Sequence, residues 1–385
     1  MGSDHTKLDI PRKVLFLTGT RADFGKLKPL IRLVDKMVGF DCTVFVTGMH
    51  TLELYGLTVT EVEQENFKST HVYHNQYQGE PMEQVMANTI NGLSRFVRQD
   101  RPDMLIVHGD RVEALAGAVV GSLCNILVGH IEGGERSGTI DESIRHAVSK
   151  LSHIHFVANK ESARRLCQLG EDDKSIFIIG SPEIDIMTSE NLPTINENKI
   201  HYQVKFDEYA IALFHPVTTD VAKMAHHAKC FVDALINSGH NYLIIYPNND
   251  NGNHDILREY ERFKGLSKFR VIPSIRFENF LVFMKNCQYI VGNSSAGIRE
   301  APFYLIPTIN VGSRQNNRSH NEAIINVACD KNSILNGILK VKSASLKTKE
   351  KFFGEGNSAE KFISVLGRAE TWQTAYQKQF FDLPY

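Results

Sequence analysis

The sequence predicts an α/β protein made of two doubly wound domains that face a common cleft. Short apolar runs rich in Val and Ile alternate with amphipathic helical patterns along almost the whole chain. This alternation is typical of parallel sheets that are covered by helices on both faces. It pauses once, in the polar stretch 189–200, and then restarts. A chain of 385 residues is long enough for two such cores.

The pause predicts a domain boundary near 187–205. We assign 1–187 to an N-terminal Rossmann-like domain and 188–364 to a C-terminal one, and we expect 365–385 to form a helix that packs back on the first domain. The strands of the first domain are predicted at 14–19, 43–48, 104–109, 126–131, 154–159 and 176–180. Those of the second domain are predicted at 209–216, 241–248, 269–274, 288–294 and 307–312.

Composition argues against several classes of function. The net charge is -1 and the pI is near 7.0, so the chain lacks the broad basic field that attracts nucleic acid or a membrane surface. Six cysteines without a CxxC pair are typical of reduced thiols, not of a disulfide scaffold or a zinc module. No apolar run has the length of a membrane span, and no secretory signal opens the chain. The opening MGSDHT formally matches a myristoylation pattern, but we interpret it as a polar extension. These features predict a cytoplasmic protein.

Charged side chains gather where the predicted strands end. Ligands of doubly wound domains bind at the carboxyl ends of the strands, so two facing sheets place a cleft there. The stretch HIEGGERSGTIDESIRH (130–146) follows the apolar run ILVGHI and holds four acids, two histidines and three glycines. Asp110, in HGDR, ends what we expect to be the neighbouring strand. Asp110 and Glu132 are therefore predicted to project into the same cleft.

Two kinds of chemistry fit the stretch 130–146. His130, Glu132 and His146 are possible metal ligands. However, HxE is not a recurring ligand spacing, and the chain has no HExxH. We therefore favour carboxylates that take up and donate protons, because burial and mutual repulsion separate their pKa values. A solvated, charged first turn is the simpler alternative for Asp141 and the residues that follow it, and the glycines allow a mobile loop.

Other strand ends offer groups that suit an anionic ligand. The motifs GTRADFGK (19–26) and VGNSSAGIRE (291–300) each join a strand end to a helix start, where unpaired backbone N–H groups attract phosphate. Arginines suit a diphosphate, and a carboxylate one turn into a helix can accept from ribose hydroxyls. Each motif alone also fits a capped helix or a solvated surface. The candidate groups are Arg21, His215, Asn248, Ser294, Ser295, Glu300, Arg314 and Arg318.

The motifs together resemble those of the hydrolysing UDP-N-acetylglucosamine 2-epimerases of sialic acid biosynthesis. HGDR, HIEGGERSGTIDESIRH, HPVTTD, YPN, GNSSAGIRE and GSRQNNR occur in this order, and the resemblance covers roughly 13–382. It implies a glycosyltransferase-B-like fold with a nucleotide sugar in the cleft. It also implies anti elimination of UDP from UDP-GlcNAc, followed by addition of water to 2-acetamidoglucal to give N-acetylmannosamine. No NAD, flavin or pyridoxal cofactor and no metal are expected.

The resemblance also implies which residues form the site, with the acids in the first domain and UDP held mainly by the second. The catalytic set that it implies is Asp110, Glu132, Asp141, His146 and His215. The UDP-binding set is Arg21, Gly25, Arg111, His215, Asn248, Ile275, Ser294, Ser295, Glu300 and Arg314. This chain departs from its relatives at Glu142, where Asp is common, and at Gly25, where some have Ser. Which carboxylate is the base and which the acid stays open.

Several alternatives remain at this stage. Close relatives use a UDP-2,4-diacetamido-6-deoxy sugar of the legionaminic acid pathway, and a non-hydrolysing epimerase would release UDP-N-acetylmannosamine instead. A glycosyltransferase on the same scaffold would need an acceptor site. A non-catalytic UDP-sugar sensor would have no reason to keep three acids together. The resemblance further suggests a homodimer or homotetramer, with no nucleic-acid or membrane partner.

Overall fold

The structure is a computed structural model that describes residues 11–315, 324–341 and 352–382. It contains two parallel sheets, one of seven strands and one of six. All strands of the first sheet precede residue 187, and all strands of the second follow it. The strands are β1 (Arg12–Thr18), β2 (Phe40–Val46), β3 (Thr70–Val72), β4 (Met104–His108), β5 (Leu127–Ile131), β6 (Ile154–Val157), β7 (Ile176–Ile178), β8 (Ala210–Leu213), β9 (Tyr242–Ile245), β10 (Phe269–Ile272), β11 (Ile290–Gly292), β12 (Thr308–Val311) and β13 (Ile324–Val327).

Helices cover both faces of each sheet. They pack apolar stripes on the sheets, whose central strands such as β4 and β5 are buried along their whole length, as is typical of doubly wound sheets. The helices are α1 (Arg21–Lys36), α2 (Val59–Glu63), α3 (Met82–Gln99), α4 (Val112–Leu123), α5 (Ile140–Leu151), α6 (Lys160–Gln168), α7 (Pro182–Met187), α8 (Ile195–Tyr202), α9 (Met224–Ser238), α10 (Asn253–Tyr260), α11 (Phe277–Lys285), α12 (Ala296–Arg299), α13 (Lys331–Val341) and α14 (Ser358–Leu366). Within the described ranges, no helix is both long and apolar enough to cross a membrane.

The strand order decides which side chains meet. In the first sheet the order is β3-β2-β1-β4-β5-β6-β7, so the carboxyl ends of β1, β4 and β5 are neighbours. In the second it is β10-β9-β8-β11-β12-β13, which places the ends of β8, β11 and β12 side by side. The expected pairing of the HGDR and HIEGGE strands is present, with His108 opposite Ile131.

The C-terminal segment differs from its predicted boundaries. Its helix is α14, which ends at Leu366, and a short 3-10 helix follows at Ala369–Gln373, so 365–382 is not one long helix. Helix α14 lies in the core of the first domain, where the rings of Phe362 and Phe156 are 4.6 Å apart. The chain therefore returns to the first domain. The short edge strands β3 and β13 were not among the predicted strands.

Local sequence explains how α1 begins. The Thr20 hydroxyl accepts from the backbone N–H of Asp23 at 3.2 Å, and the Asp23 carboxylate accepts from the N–H of Thr20 at 3.0 Å. This reciprocal cap stops β1 and starts the helix two residues after the strand. As a result, Arg21 projects from the carboxyl end of the sheet.

Candidate active site

A cleft with a volume of about 300 Å³ lies between the carboxyl ends of the two sheets. Both domains contribute to its walls, as the facing-sheet argument predicts. Ten of the predicted site residues line it: Arg21, Asp110, Arg111, His215, Asn248, Ile275, Ser294, Ser295, Glu300 and Arg314. Gly25, Glu132, Asp141 and His146 lie outside this lining, so their surroundings are described individually below.

Asp110 projects from the turn after β4 and is held by an arginine of α5. The Gly109 N–H donates to the Ile131 carbonyl at 2.9 Å, which ties this turn to the neighbouring strand. Arg145 donates from Nη2 to the Asp110 carboxylate and from Nη1 to the Glu132 carbonyl at 2.7 Å. Because its side chain is 1% exposed, Arg145 cannot swing out into water. It fixes the carboxylate that faces the cleft.

His130 supports the same turn from beneath. Its Nε2 lies 2.9 Å from the Gly109 carbonyl and its Nδ1 lies 3.0 Å from the Ser149 hydroxyl. A carbonyl only accepts, so Nε2 carries the proton and Nδ1 is the acceptor. Burial lowers the pKa of His130 to about 3. Both ring nitrogens are engaged by protein, so this imidazole has no lone pair left for a metal.

Asp141 lies in the first turn of α5, next to the Thr139 cap. The Thr139 hydroxyl accepts from the Asp141 N–H at 3.3 Å, and Arg314 of the second domain donates from Nη2 to the Asp141 carboxylate at 3.1 Å. Burial raises the pKa of Asp141, and the negative charge of Asp110 raises it further. Asp141 therefore holds a proton more readily than an ordinary aspartate, and it lies next to Arg314, which lines the cleft.

Glu132 lies behind the cleft wall, in the positions that follow β5. It is 4% exposed, with a left-handed backbone at φ 67°. Its Oε1 accepts from Arg299 Nη2 at 2.7 Å, Ser181 Oγ at 3.0 Å and Lys26 Nζ at 3.3 Å. Burial would raise its pKa, but Arg299 and Lys26 outweigh that effect and hold the pKa of Glu132 well below its usual range. Glu132 is thus an ionised carboxylate in a buried cluster.

His215 is a neutral hydrogen-bond donor to the cleft. Its Nδ1 accepts from the backbone N–H of Asn248 at 3.1 Å, so Nε2 carries the proton. Burial, together with the nearby Arg314 and Arg111, lowers the pKa of His215 to about 3. Asn293 clamps the backbone on both sides: the His215 N–H donates to its Oδ1 at 2.7 Å, and its Nδ2 donates to the His215 carbonyl at 2.8 Å.

Two arginines of the first domain line the cleft with different partners. Arg21 donates from Nη1 to Ser274 Oγ at 2.6 Å and pairs with Glu61, and burial lowers the pKa of Arg21 to about 10, which leaves it charged at neutral pH. Arg111 donates to Glu113 at 3.2 Å and, across the cleft, from Nη2 to Asn249 Oδ1 at 3.0 Å. Arg111 therefore already bridges the two domains.

The second domain supplies the remaining polar wall. Ser294 and Ser295 stand at the start of α12, and Ser294 Oγ accepts from the Ala296 N–H at 3.3 Å. Glu300 is buried, and among the described residues its Oε2 has no hydrogen-bond partner. Burial raises the pKa of Glu300. The Asn248 amide donates to Asp250 at 2.6 Å, while the buried side chain of Ile275 adds an apolar surface.

Comparison with known proteins assigns the family. Residues 33–367 match the sequence model described as UDP-N-acetylglucosamine 2-epimerase. The chain belongs to this family. A UDP-N-acetylglucosamine 2-epimerase of Neisseria meningitidis serogroup B is 48% identical over 375 residues, which cover 97% of this chain and 99% of the relative. A UDP-N,N'-diacetylbacillosamine 2-epimerase (hydrolyzing) of Legionella pneumophila is 32% identical and covers 92% of this chain and 95% of its own length.

A solved structure confirms the predicted fold class. The UDP-GlcNAc 2-epimerase of Methanocaldococcus jannaschii, in complex with UDP-GlcNAc and UDP, superposes with a TM-score of 0.78 at 20% identity. The match covers 92% of this chain and 99% of the other. The two facing Rossmann-like domains of this epimerase-family chain are thus a glycosyltransferase-B-like fold.

Two further residues predicted from the resemblance to the 2-epimerases also lie outside the lining of the cleft. A Cβ added to Gly25 would lie 2.6 Å from the Cβ of Phe277, so this glycine allows close contact between α1 and α11 of the second domain. His146 lies on α5 with its Nε2 3.6 Å from Glu142. Burial lowers the pKa of His146, with Glu142 opposing. Arg318 lies outside the described residues.

Three residues of this epimerase-family site are additions to the predicted set. Arg145, Asn293 and Arg299 are 1–2% exposed and hold Asp110, His215 and Glu132 in place. Their only signal in the sequence is position: each lies within a few residues of a predicted site residue, inside the motifs SIRH and GNSSAGIRE. Their partners are distant in sequence, so the motifs alone give no hint of the contacts.

Proposed function

We propose that this chain is a hydrolysing UDP-N-acetylglucosamine 2-epimerase, which converts UDP-GlcNAc and water to N-acetylmannosamine and UDP. The observation that carries the proposal is a pair of neighbouring acids: Asp110, which lines the cleft and is held by Arg145, and Asp141, which pairs with Arg314 and whose pKa is raised by Asp110. A carboxylate held by a cation and a neighbour with a raised pKa suit proton removal and proton return on one carbon.

The first half-reaction is an anti elimination. Asp110 takes the proton from C2 of the sugar, the C1–O bond to UDP breaks, and a C1–C2 double bond forms in 2-acetamidoglucal. The diphosphate leaves with both bonding electrons, and its growing charge is stabilised by donors that line the same cleft. These donors are Arg21, Arg314, the Nε2–H of His215 and the hydroxyls of Ser294 and Ser295. Glu300, with its unpaired Oε2, is placed to accept from the ribose hydroxyls.

The second half-reaction adds water to the glycal. The hydroxyl of water bonds to C1, and Asp141 returns a proton to C2 on the face opposite to the one that lost it. The remaining proton of the water passes to Asp141, and Asp110 releases to solvent the proton that it took from C2, so that both acids return to their starting states and atoms and charge balance. Neutral His215 donates a hydrogen bond from Nε2 throughout and does not act as a base. Its pKa of about 3 makes the imidazole a weak base, and its Nδ1 already accepts from the Asn248 N–H.

The hydrolysing type and the sugar are supported by two observations. The HIEGGERSGTIDESIRH block resembles that of the hydrolysing enzymes, and the Legionella relative carries "hydrolyzing" in its name. The name of the Legionella relative also supports an alternative substrate, a UDP-2,4-diacetamido-6-deoxy sugar. We favour UDP-GlcNAc because the Neisseria relative is 48% identical against 32% for the Legionella one. The product, N-acetylmannosamine, places the proposed enzyme in sialic acid biosynthesis.

The test is incubation with UDP-GlcNAc in deuterated water, followed by proton NMR. We expect free UDP and N-acetylmannosamine that carries deuterium at C2. Intact UDP-N-acetylmannosamine would show a non-hydrolysing enzyme. The diacetamido sugar nucleotide is tested in parallel. If the protein turns over only that compound, it is the substrate instead of UDP-GlcNAc. A protein that binds UDP but turns over neither compound would be a sensor, and the proposal would fail.

A further inference from the structure

Arg299 of the second domain is inserted into a group of carboxylates of the first. It donates from Nε to Glu183 at 2.8 Å, from Nη2 to Glu132 at 2.7 Å and from Nη1 to Glu135. Its guanidinium also lies 4.5 Å from the centre of the Phe353 ring. All three carboxylate residues are 0–4% exposed, as is Arg299 itself at 2%. A planar guanidinium with five N–H donors suits this multiple contact, which an ammonium cannot reproduce in full.

A continuous chain of contacts connects Arg299 to the cleft. Arg299 holds the Glu132 carboxylate, and the Glu132 carbonyl accepts from Arg145 Nη1 at 2.7 Å. Arg145 in turn donates from Nη2 to Asp110, which lines the cleft. The Glu132 backbone is in the left-handed region, a conformation that a non-glycine residue keeps only when its surroundings hold it. The contacts of its side chain therefore also set the direction of its carbonyl.

From this chain we infer that Arg299 is a positioning residue, which couples the closing of the two domains to the placement of the Asp110 carboxylate. The inference rests on the proposed function, because the placement of Asp110 matters to a rate only if Asp110 takes the C2 proton. When the domains separate, Arg299 leaves the carboxylates, Glu132 is released, and Arg145 loses one of its two anchors. The base is then aligned only in the closed state.

Removal of the guanidinium has a defined local consequence. Three buried carboxylates would lose their shared cation, and Lys26 would remain 3.3 Å from Glu132 and 3.6 Å from Glu183. Their repulsion favours protonation or displacement of one of them. Since Glu132 carries the link to Arg145, its displacement moves Asp110. The residues lining the UDP side of the cleft keep their partners, so binding of UDP is expected to change much less than the chemical step.

The test compares Arg299→Met and Arg299→Lys with the matched control Lys28→Met. Lys28 also forms a part-buried ion pair across the domain interface, with Glu278, and its other carboxylate partner is Glu65 instead of a member of the Arg299 cluster. For each variant we would measure kcat and KM for UDP-GlcNAc, the Kd of UDP by calorimetry and the melting temperature. We expect Arg299→Met to lower kcat about a hundredfold, the scale of a small misplacement of a reacting group, with KM and the UDP Kd nearly unchanged. Arg299→Lys, which keeps the charge but not all of the contacts, is expected to lower kcat by about tenfold, and Lys28→Met to keep it.

Two outcomes would overturn the inference. One is an equal loss of kcat in Arg299→Met and Lys28→Met, which would show a general effect of the interface. The other is a rise in KM with kcat unchanged, which would place Arg299 in binding. If Arg299→Met does not fold, Arg299→Lys becomes the deciding variant. A kcat equal to that of wild type would then contradict the inference. So would a kcat that is lowered only in proportion to the loss of folded protein.

A measurement without turnover separates this inference from the proposed function. In wild type the amides of Gly109 and Glu132 donate to backbone carbonyls at 2.9 and 3.0 Å. Hydrogen exchange followed by NMR or mass spectrometry should be faster at 105–112 and 130–134 in Arg299→Met or Arg299→Lys than in Lys28→Met. Failure of wild type to turn over UDP-GlcNAc would refute the proposed function alone. Unchanged exchange at both segments would refute the link from Arg299 to Asp110.

Discussion

Buried neutral histidines should make the first domain lose stability as the pH falls from 7.5 to 5.5. His130 is the clearest case, because burial lowers its pKa to about 3 from the ordinary value of 6.5. In the unfolded chain its imidazole takes up a proton below pH 6.5, whereas in the folded protein it does not. The unfolded state then binds more protons, so acidification favours unfolding.

The size of the effect follows from the two pKa values. At pH 5.5 an unfolded imidazole with a pKa of 6.5 is about nine-tenths protonated, and the folded one remains neutral. Proton linkage then removes about 1.4 kcal/mol of unfolding free energy between pH 7.5 and 5.5 for this one group. His50, whose pKa is lowered to about 4, contributes a similar amount in the same domain.

The assay uses the single tryptophan of the chain. Trp372 packs 5.9 Å from Phe40 in the core of the first domain, so urea unfolding followed by its fluorescence reports that domain. Wild type and His130→Gln would be compared at both pH values. Glutamine offers a donor and an acceptor but does not titrate. The difference in unfolding free energy between wild type and His130→Gln should therefore be about 1.4 kcal/mol less favourable to wild type at pH 5.5 than at pH 7.5. A difference that is the same at both pH values would refute the assignment of His130 as buried and neutral.

Three further changes test other contacts. Gly25→Ala should destabilise the closed arrangement by about 1–3 kcal/mol, because the new methyl would lie 2.6 Å from the Cβ of Phe277, and an unchanged melting temperature would contradict this. Asn293→Ala removes both hydrogen bonds to the His215 backbone and should lower kcat/KM about tenfold or more, with Asn293→Asp, which keeps the acceptor, affected less; equal losses would contradict this. Lys378→Met should lower the melting temperature by a few degrees, because Lys378 donates to the last carbonyls of α5 and pairs with Glu171. An unchanged melting curve would show that these contacts do not hold the C-terminal segment in place.

Most of the fold was predictable because doubly wound domains have a recognisable hydrophobic pattern in the sequence. Fully buried strands appear as continuous apolar runs, and each is followed by a helical pattern. The edge strands β3 and β13 are three and four residues long, too short for a run or an alternation to be recognised. The return of the chain to the first domain was predicted, but the helix that makes the return, α14, ends where the expected helix begins.

The location of the site was predictable for a topological reason, and its ion pairs were not. Strand ends of parallel sheets meet at one edge, so Asp110, His215 and Arg314 could be placed in one cleft before any coordinates. The orientation of a carboxylate depends on partners far away in the chain. Glu132 was grouped with the cleft acids because it follows a strand. Its carboxylate instead accepts from Arg299, 167 positions later, and lies behind the residues that line the cleft. Such contacts follow from how the domains dock, which local pattern does not encode.

The buried charges between the domains suit a cleft that opens and closes more than they suit a locked one. Arg111 crosses from the first domain to the second, and Arg299 and Arg314 cross in the opposite direction. Burying an ion pair costs hydration that its attraction barely repays, so such pairs add little net stability. On opening, the same groups regain their hydration in water, which keeps the free-energy difference between the two states small. The pairs nevertheless accept only one geometry, because a misplaced buried charge is left without a partner. Selective but weak contacts of this kind suit the proposed cycle, in which a nucleotide sugar enters, UDP leaves and only the correctly closed state aligns the acids.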